Sequence, residues 1–179
     1  MVHVGEITET APRVFVSDVQ RQVYDALGQL GIGFRRVDTD PAVTMEDCEA
    51  IDLKLGVRTV KTLFLCNRQQ TKFYLFVTRG DKPFVTKDFS RAMGISRVSF
   101  ASSTLLHDML GTHPGGASVL CLVADTDKRI TLAVDSEVLH DEWFGCNDGT
   151  AVSYMKIRTE DLMTGFLPYT GHEPAVISV

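Results

Sequence analysis

Lys61 is the residue best placed for polar chemistry, because it stands at the beginning of the apolar run 63–65. A short apolar run bounded by polar residues indicates a buried strand. The aromatic segment 72–77 follows a polar stretch at 67–71, which predicts that the two strands form a hairpin. At the start of a core strand, the Lys61 ammonium could reach over a neighbouring cleft. A lysine can equally lie along the surface with its charge in water, and this stretch alone leaves both interpretations open.

A second stretch with chemical potential is the loop 110–119, which holds Pro114, Gly115 and Gly116 in succession. Adjacent glycines can adopt positive φ and let backbone amides approach a ligand closely, which makes an anion-binding nest. Most glycine pairs are simple turns. His113 precedes the pair, and contact with a substrate or exposure to solvent are equally consistent with its place in a loop.

Together these stretches resemble the YbaK/PrdX family, the editing domains associated with prolyl-tRNA synthetase. The resemblance covers nearly the whole chain, from about residue 19 to residue 177, and its motifs keep the family's order and spacing. The matching segments are 40–46, the lysine strand that begins at Lys61, 97–101, the loop 110–115 and 125–128.

The resemblance implies hydrolysis of the aminoacyl ester at the 3′ end of a mischarged tRNA, with Ala-tRNA(Pro) as the expected substrate. It implies an essential role for Lys61 and a water nucleophile, and the amides of Gly115 and Gly116 could stabilise the oxyanion. The residues expected to bind the substrate are Thr62, His113, Ala117, Ser118, Asn147 and Thr150. No cofactor is expected, and no metal, because no His, Asp or Glu cluster has the spacing of a metal site.

Three departures from the family pattern leave a second function open. Val119 stands where many relatives have proline, Thr62 follows the lysine where many have asparagine, and a His-Pro pair is missing near the end of the sheet. Asn147 falls at the place of that pair and is either a pocket residue or a turn former. The alternative function is a non-catalytic regulator that binds tRNA or an amino acid and keeps the fold.

The charge distribution favours a nucleic-acid partner although the net charge is −5. Residues 54–97 contain ten basic and two acidic residues, a net +8, which leaves −13 on the remainder of the chain. Segregation of this kind can give an acidic protein one basic face that attracts phosphates, unless the charges fold onto different sides. Arg58, Lys82 and Lys87 are the predicted tRNA contacts. The resemblance implies mischarged tRNA, specifically tRNA(Pro), as the partner, with prolyl-tRNA synthetase as a second candidate.

Length and composition predict one globular domain over residues 17–179 after a loosely held lead-in at 1–16. No apolar run approaches the roughly 20 residues of a membrane helix, and the N-terminus lacks the basic region of a signal peptide. The four cysteines form no close pair, which favours buried free thiols in a reducing cytosol. We therefore expect a cytoplasmic monomer or weak dimer.

Strand and helix patterns alternate along the chain, so we predict an α/β fold with a mixed sheet. The resemblance implies a strongly bent sheet flanked by helices. Capping residues and terminal glycines predict helices at 17–30 and 44–55. The apolar run 117–123 is predicted to be a central strand, and 130–134 another strand buried on both faces.

Overall fold

A computed structural model describes residues 2–179 of the chain. Its strands form two sheets, and helices pack against them, which confirms the predicted mixture of α and β structure. The helices are α1 (Asp18–Leu30), α2 (Cys48–Leu55), α3 (Thr86–Met93), α4 (Ser103–Leu110), α5 (Thr159–Asp161) and α6 (Leu167–Thr170), with a π-helical segment at Leu162–Phe166 and 3-10 helices at Val119–Ala124 and Ser136–His140.

The larger sheet has five strands in the order β4-β2-β3-β5-β8, and the smaller one has three in the order β1-β7-β6. The larger sheet is mixed, because β2 pairs antiparallel with β3 and β4 while β5 runs parallel to β3 and β8. The strands are β1 (Arg35–Asp38), β2 (Val60–Asn67), β3 (Phe73–Arg79), β4 (Val98–Phe100), β5 (Ile130–Asp135), β6 (Trp143–Asn147), β7 (Ser153–Arg158) and β8 (Ala175–Ile177).

The first helix follows the sequence prediction closely. Ser17 caps it by accepting a hydrogen bond from the Gln20 amide, and Gly31 ends it in a left-handed conformation with φ of 67°. Val23 and Leu27, one turn apart, are both fully buried in the main core. The apolar stripe of α1 therefore faces the main core.

The β2–β3 hairpin separates two apolar layers. Successive side chains of a strand point to opposite faces, so Phe64 enters the main core beneath α1 while Leu65 joins a second cluster beneath α3. By this alternation Lys61 shares the face of Leu65, and Thr62 shares that of Phe64. The lysine and the residue after it therefore point to opposite faces of the sheet.

Two of the predicted elements differ in the structure. The run 117–123 is not a strand: Ser118 caps a 3-10 helix at Val119–Ala124, whose apolar side chains are buried against the main core. A short, wholly apolar run does not distinguish a buried strand from a buried helix. The second helix begins at Cys48 instead of residue 44, because Thr44 and Asp47 hydrogen-bond each other's backbone amides in a turn.

The N-terminal lead-in is tied to the domain by backbone hydrogen bonds. Gly5 donates to the Asp38 carbonyl at 2.8 Å, and Thr8 exchanges two 2.9 Å bonds with Arg36, so the segment pairs along β1. Met1 lies outside the described residues. Among residues 2–179, none of the helices has the length and apolar character needed to span a bilayer.

Candidate functional site

Lys61 is half-buried, and its ammonium is held at one point only. Its Nζ donates to the backbone carbonyl of Lys82 at 2.6 Å, and no carboxylate of residues 2–179 lies within 4.0 Å of it. An ammonium has three donors, so two remain for a ligand. A partly desolvated cation with free donors suits a carbonyl oxygen or a phosphate.

The glycine loop is a tight turn. Gly116 donates its amide to the His113 carbonyl at 2.9 Å, Pro114 occupies the second position, and Gly115 has φ of 91°. Proline followed by a residue with positive φ is the pattern of a type II turn. The predicted pair of oxyanion donors is thus reduced to one, because the Gly116 amide is used inside the turn. The Gly115 amide has no acceptor within residues 2–179.

Asn147 holds this turn against the end of β6. Its side-chain amide donates to the carbonyls of Gly115 at 3.3 Å and Ala117 at 3.2 Å, and its oxygen accepts from the Gly149 amide at 2.9 Å. Ser118, fully buried, donates to the Asn147 carbonyl at 2.8 Å and caps the following 3-10 helix. Asn147 and Ser118, both predicted to contact substrate, have their hydrogen bonds satisfied within the chain.

A buried carboxylate supports the turn from behind. Asp148 is fully buried and accepts hydrogen bonds from the Gln20 amide at 2.9 Å, the Tyr24 hydroxyl at 2.8 Å and the Thr150 hydroxyl at 2.7 Å. Burial raises the pKa of Asp148 above its ordinary value, against the opposing effect of these donors. Burial also raises the pKa of Tyr24, which stays a donor. Thr150 therefore serves this network, and the structure does not leave its hydroxyl facing a ligand.

The remaining predicted loop contacts lie apart from Lys61. His113 is exposed, and its ring stacks on that of His107 with centroids 5.2 Å apart. Ala117 packs against the main core, the side to which Thr62 also points. Lys61 points to the opposite face of the β2–β3 sheet from these two residues.

Residues 40–47 pack against both the glycine loop and the loop after β3. A Cβ added to Gly115 would lie 3.1 Å from a Val43 methyl and 3.4 Å from Ala151. Met45 packs so closely on Gly80 that a Cβ there would collide with it. Gly80 is two residues before Lys82, whose carbonyl holds Lys61. An isolated parallel bridge between Thr59 and Gly145 also places the start of β2 beside β6.

A cavity of about 520 Å³ opens beside the start of β2 and is lined in part by Arg58. Its lining carries five carboxylates and two guanidiniums, and Arg79 is already paired with Asp81 at 3.3 Å. Arg58, a predicted tRNA contact, therefore lies in acidic surroundings that disfavour phosphate. Asp52 is held there by the Thr59 hydroxyl at 2.6 Å, and burial raises its pKa. Lys61 does not line this cavity.

The basic residues of segment 54–97 are spread along the length of the β2–β3 hairpin and onto α3. Arg58, Lys61 and Lys82 lie near the open end of the β2–β3 hairpin, whereas Arg68 and Lys72 lie at its turn, roughly 20 Å away for strands of this length. Lys82 is engaged by Asp135 at 2.8 Å and Glu137 at 3.3 Å. Lys87 is exposed on α3 and has no carboxylate within 4.0 Å in the described chain.

All four cysteines are buried and unpaired, as the sequence predicted. Burial raises the pKa of Cys48 to about 11 and that of Cys121 to about 12, so these thiols stay protonated at neutral pH and are poor nucleophiles. Within residues 2–179, no three His, Cys, Asp or Glu side chains are grouped so as to hold a metal ion.

Sequence reasoning missed the groups that organise the site: Gln20, Tyr24, Thr112, Asp135 and Asp148. Four of them come from distant parts of the chain, and Thr112 lies in the glycine loop at a position to which the motif assigns no role. Asp148 stands between Asn147 and Gly149, where the composition indicates an ordinary turn. Only the packing of α1 against this turn shows that its carboxylate is buried.

Two relatives share sequence with most of the chain. A zebrafish (Danio rerio) protein named prolyl-tRNA synthetase associated domain-containing protein 1 is 26% identical over 163 residues, which cover 90% of this chain and 88% of the relative. The prolyl-tRNA editing protein ProX of Acetoanaerobium sticklandii is 27% identical over 122 residues, 68% of this chain and 74% of that protein.

Solved structures support the fold. A crystal structure described as a hypothetical protein superimposes with a TM-score of 0.68 at 22% identity, over 88% of this chain and 99% of the other. A proposed trans-editing enzyme for prolyl tRNA synthetase gives a TM-score of 0.67 at 20% identity, over 92% and 99%. The model of the aminoacyl-tRNA editing domain matches residues 39–164, which include Lys61, the glycine loop and the 147–150 turn. The chain therefore belongs to the aminoacyl-tRNA editing domain family.

Proposed function

We propose that this protein acts in trans as an aminoacyl-tRNA deacylase, and that Ala-tRNA(Pro) is its substrate. The observation that carries the proposal is the Lys61 ammonium, half-buried and with two unused donors, within a chain of the editing-domain family. The names of the two relatives favour tRNA(Pro) as the tRNA partner and prolyl-tRNA synthetase as an associated protein. The choice of alanine rests on the resemblance in sequence.

In the proposed reaction, a water oxygen attacks the carbonyl carbon of the ester and a tetrahedral oxyanion forms. The Lys61 ammonium would donate to that oxygen, a contact worth about 10²–10³ in rate. The bond between the carbonyl carbon and the ribose oxygen then breaks, which gives the free amino acid and a tRNA with a free hydroxyl. We assign the proton transfer to a neighbouring ribose hydroxyl, which would accept a proton from the attacking water and return one to the leaving ribose oxygen.

The alternative is a protein that binds tRNA or an amino acid without turnover. It is favoured by one observation: the Gly116 amide and the Asn147 side chain are both engaged within the chain. Positioning alone can accelerate an intrinsically easy ester hydrolysis, so the Lys61 cation is sufficient for the proposed deacylase.

A deacylation panel separates these functions. Ala-, Ser-, Cys- and Pro-tRNA(Pro) are incubated with the wild-type protein and with Lys61→Ala, and release of the amino acid is followed. We expect Ala-tRNA(Pro) to be hydrolysed fastest by the wild type and not by the variant. Binding of tRNA with no turnover of any charged species would establish the non-catalytic alternative.

A further inference from the structure

Lys82 connects Lys61 to a buried carboxylate through its backbone and its side chain. Its carbonyl accepts from Lys61 Nζ at 2.6 Å, while its own Nζ donates to Asp135 Oδ2 at 2.8 Å. The Thr78 hydroxyl donates to the same carboxylate oxygen at 2.8 Å, and Thr78 is the β3 residue paired with Lys61 in the sheet. Lys61 and the carboxylate of Asp135 therefore both lie beside the same hairpin residue, Thr78.

Asp135 is a firm anchor for this arrangement. It ends β5, is fully buried, and accepts the Glu137 amide at 3.3 Å with its second oxygen. A buried charge is costly unless it is paired and hydrogen-bonded, and Lys82 is the cation that pairs with it. The hydrogen bond with Asp135 raises the pKa of Lys82, so Lys82 stays charged at neutral pH.

The ion pair between Lys82 and Asp135 holds the loop after β3, and with it the Lys82 carbonyl that accepts from Lys61. We propose that Lys82 and Asp135 are positioning residues that hold the Lys61 ammonium in place for the deacylation. The inference rests on the proposed function only for the reaction that Lys61 performs. In this role Lys82 acts through its carbonyl and does not contact the tRNA. The charge pattern had predicted that Lys82 contacts the tRNA. Restricting one of the three ammonium donors leaves the other two aimed in defined directions.

Lys82→Met keeps the length of the side chain and removes its charge. We expect kcat for Ala-tRNA(Pro) to fall about 10- to 100-fold, because small misplacements of a catalytic group have effects of this size, while KM stays the same. Lys82→Arg can still pair with Asp135 and should restore most of the rate. Lys128→Met removes an exposed lysine outside the site and serves as the matched control.

The ammonium proton signal of Lys61 gives a readout that does not depend on activity. In ¹⁵N-labelled protein, a signal assigned by its loss in Lys61→Ala should be visible in the wild type and in Lys128→Met. It should broaden or disappear in Lys82→Met and return in Lys82→Arg. Asp135→Asn, which retains the shape of the residue, should loosen Lys61 in the same way and replaces Lys82→Met if that variant does not fold.

The outcomes are distinct. A raised KM and a reduced salt dependence in Lys82→Met, with the Lys61 signal unchanged, would make Lys82 a tRNA contact and overturn the inference. Unchanged kcat and unchanged signal in both Lys82→Met and Asp135→Asn would overturn it as well. If the wild type hydrolyses no aminoacyl-tRNA, the proposed function fails by itself, and the Lys61 signal still decides whether Lys82 holds the ammonium.

Discussion

Lys61 and the glycine loop are the two segments whose residues indicate chemistry, yet they differ in how many hydrogen bonds hold them. The lysine makes one hydrogen bond and keeps two donors free. The loop is bonded on several sides, through its internal turn, Asn147 and the buried network behind Asn147. In the proposed reaction the two segments would have different roles: Lys61 would supply the reactive contact, and the loop a rigid wall in which the Gly115 amide is free.

The largest expected effect is the loss of deacylation in Lys61→Ala. Removing the ammonium should lower the rate by at least about 10²-fold. The melting temperature should stay close to that of the wild type, because the side chain is half-buried and makes one hydrogen bond. Single-turnover deacylation and thermal unfolding, with Lys128→Ala as the control, measure both quantities. A wild-type rate in Lys61→Ala would show that Lys61 has no role in the reaction. A strongly lowered melting temperature would show that its role is structural.

Gly116→Ala tests whether the loop is rigid in the way the contacts indicate. The added Cβ would collide with Thr112 Oγ1 and lie 3.0 Å from the Gly149 carbonyl, so the 2.8 Å hydrogen bond between Thr112 and Gly149 must break. We expect a loss of about 1–3 kcal/mol in the free energy of unfolding, together with a reduced deacylation rate. Urea denaturation measures the former.

Gly28→Ala is the matched control, because nothing lies within 4 Å of a Cβ at that helical position. It should be neutral or stabilising by up to about 1 kcal/mol. Thr112→Ala combined with Gly116→Ala should cost less than the sum of the single changes, since the colliding oxygen is gone. Loss of rate at unchanged stability would instead show that the loop contributes chiefly to the reaction.

Asp148, which lies behind the glycine loop, should make the free energy of unfolding depend on pH. The folded state raises the pKa of this carboxyl, so the native protein binds more protons than the unfolded chain at pH values between the two pKa values. Its contribution to stability is therefore greatest at low pH and is lost as the pH rises through the folded pKa. Asp148→Asn should flatten that slope. The amide can still accept from Gln20 and Tyr24 and donate to the Thr150 oxygen.

Asp47→Asn provides a control of opposite sign. Hydrogen bonds from Thr44 lower the pKa of Asp47, so its contribution is present above the unfolded pKa and is lost as the pH falls through the folded one. Urea midpoints of the wild type and Asp148→Asn at pH values above the ordinary aspartate value of 3.8 show the Asp148 slope. Midpoints of the wild type and Asp47→Asn at pH values below 3.8 show the Asp47 slope. A slope that is the same in Asp148→Asn and the wild type would mean that the carboxyl does not titrate differently in the native protein.

The smallest effect concerns the exposed charges. Lys87→Glu should reduce the slope of log K against log salt for tRNA binding by about 0.7–0.9 for a lost phosphate contact, with kcat nearly unchanged. The same reversal at Lys128 should leave the slope alone. Filter binding over a range of salt concentrations tests this, and an unchanged slope in Lys87→Glu would mean that α3 faces away from the RNA.

The sequence by itself determined the family, the mixed α and β character and most elements, since caps, terminal glycines and strand alternation act locally. Ser17 and Gly31 bound α1 as predicted, and Lys61 could be singled out from its motif. The run 119–124 could not be assigned by the same means, because an apolar segment becomes strand or helix according to the neighbours that bury it.

The tertiary structure alone decided which polar groups are used and which are free. Lys82 and Lys87 are equivalent in a charge pattern, yet one is neutralised by a carboxylate 53 residues away and the other is exposed. Asp148 belongs to an ordinary turn in the sequence and to a buried network in the fold. Burial and long-range pairing arise only when distant segments pack together. They determine whether a charged group is free to bind a ligand or is used to hold other residues in place.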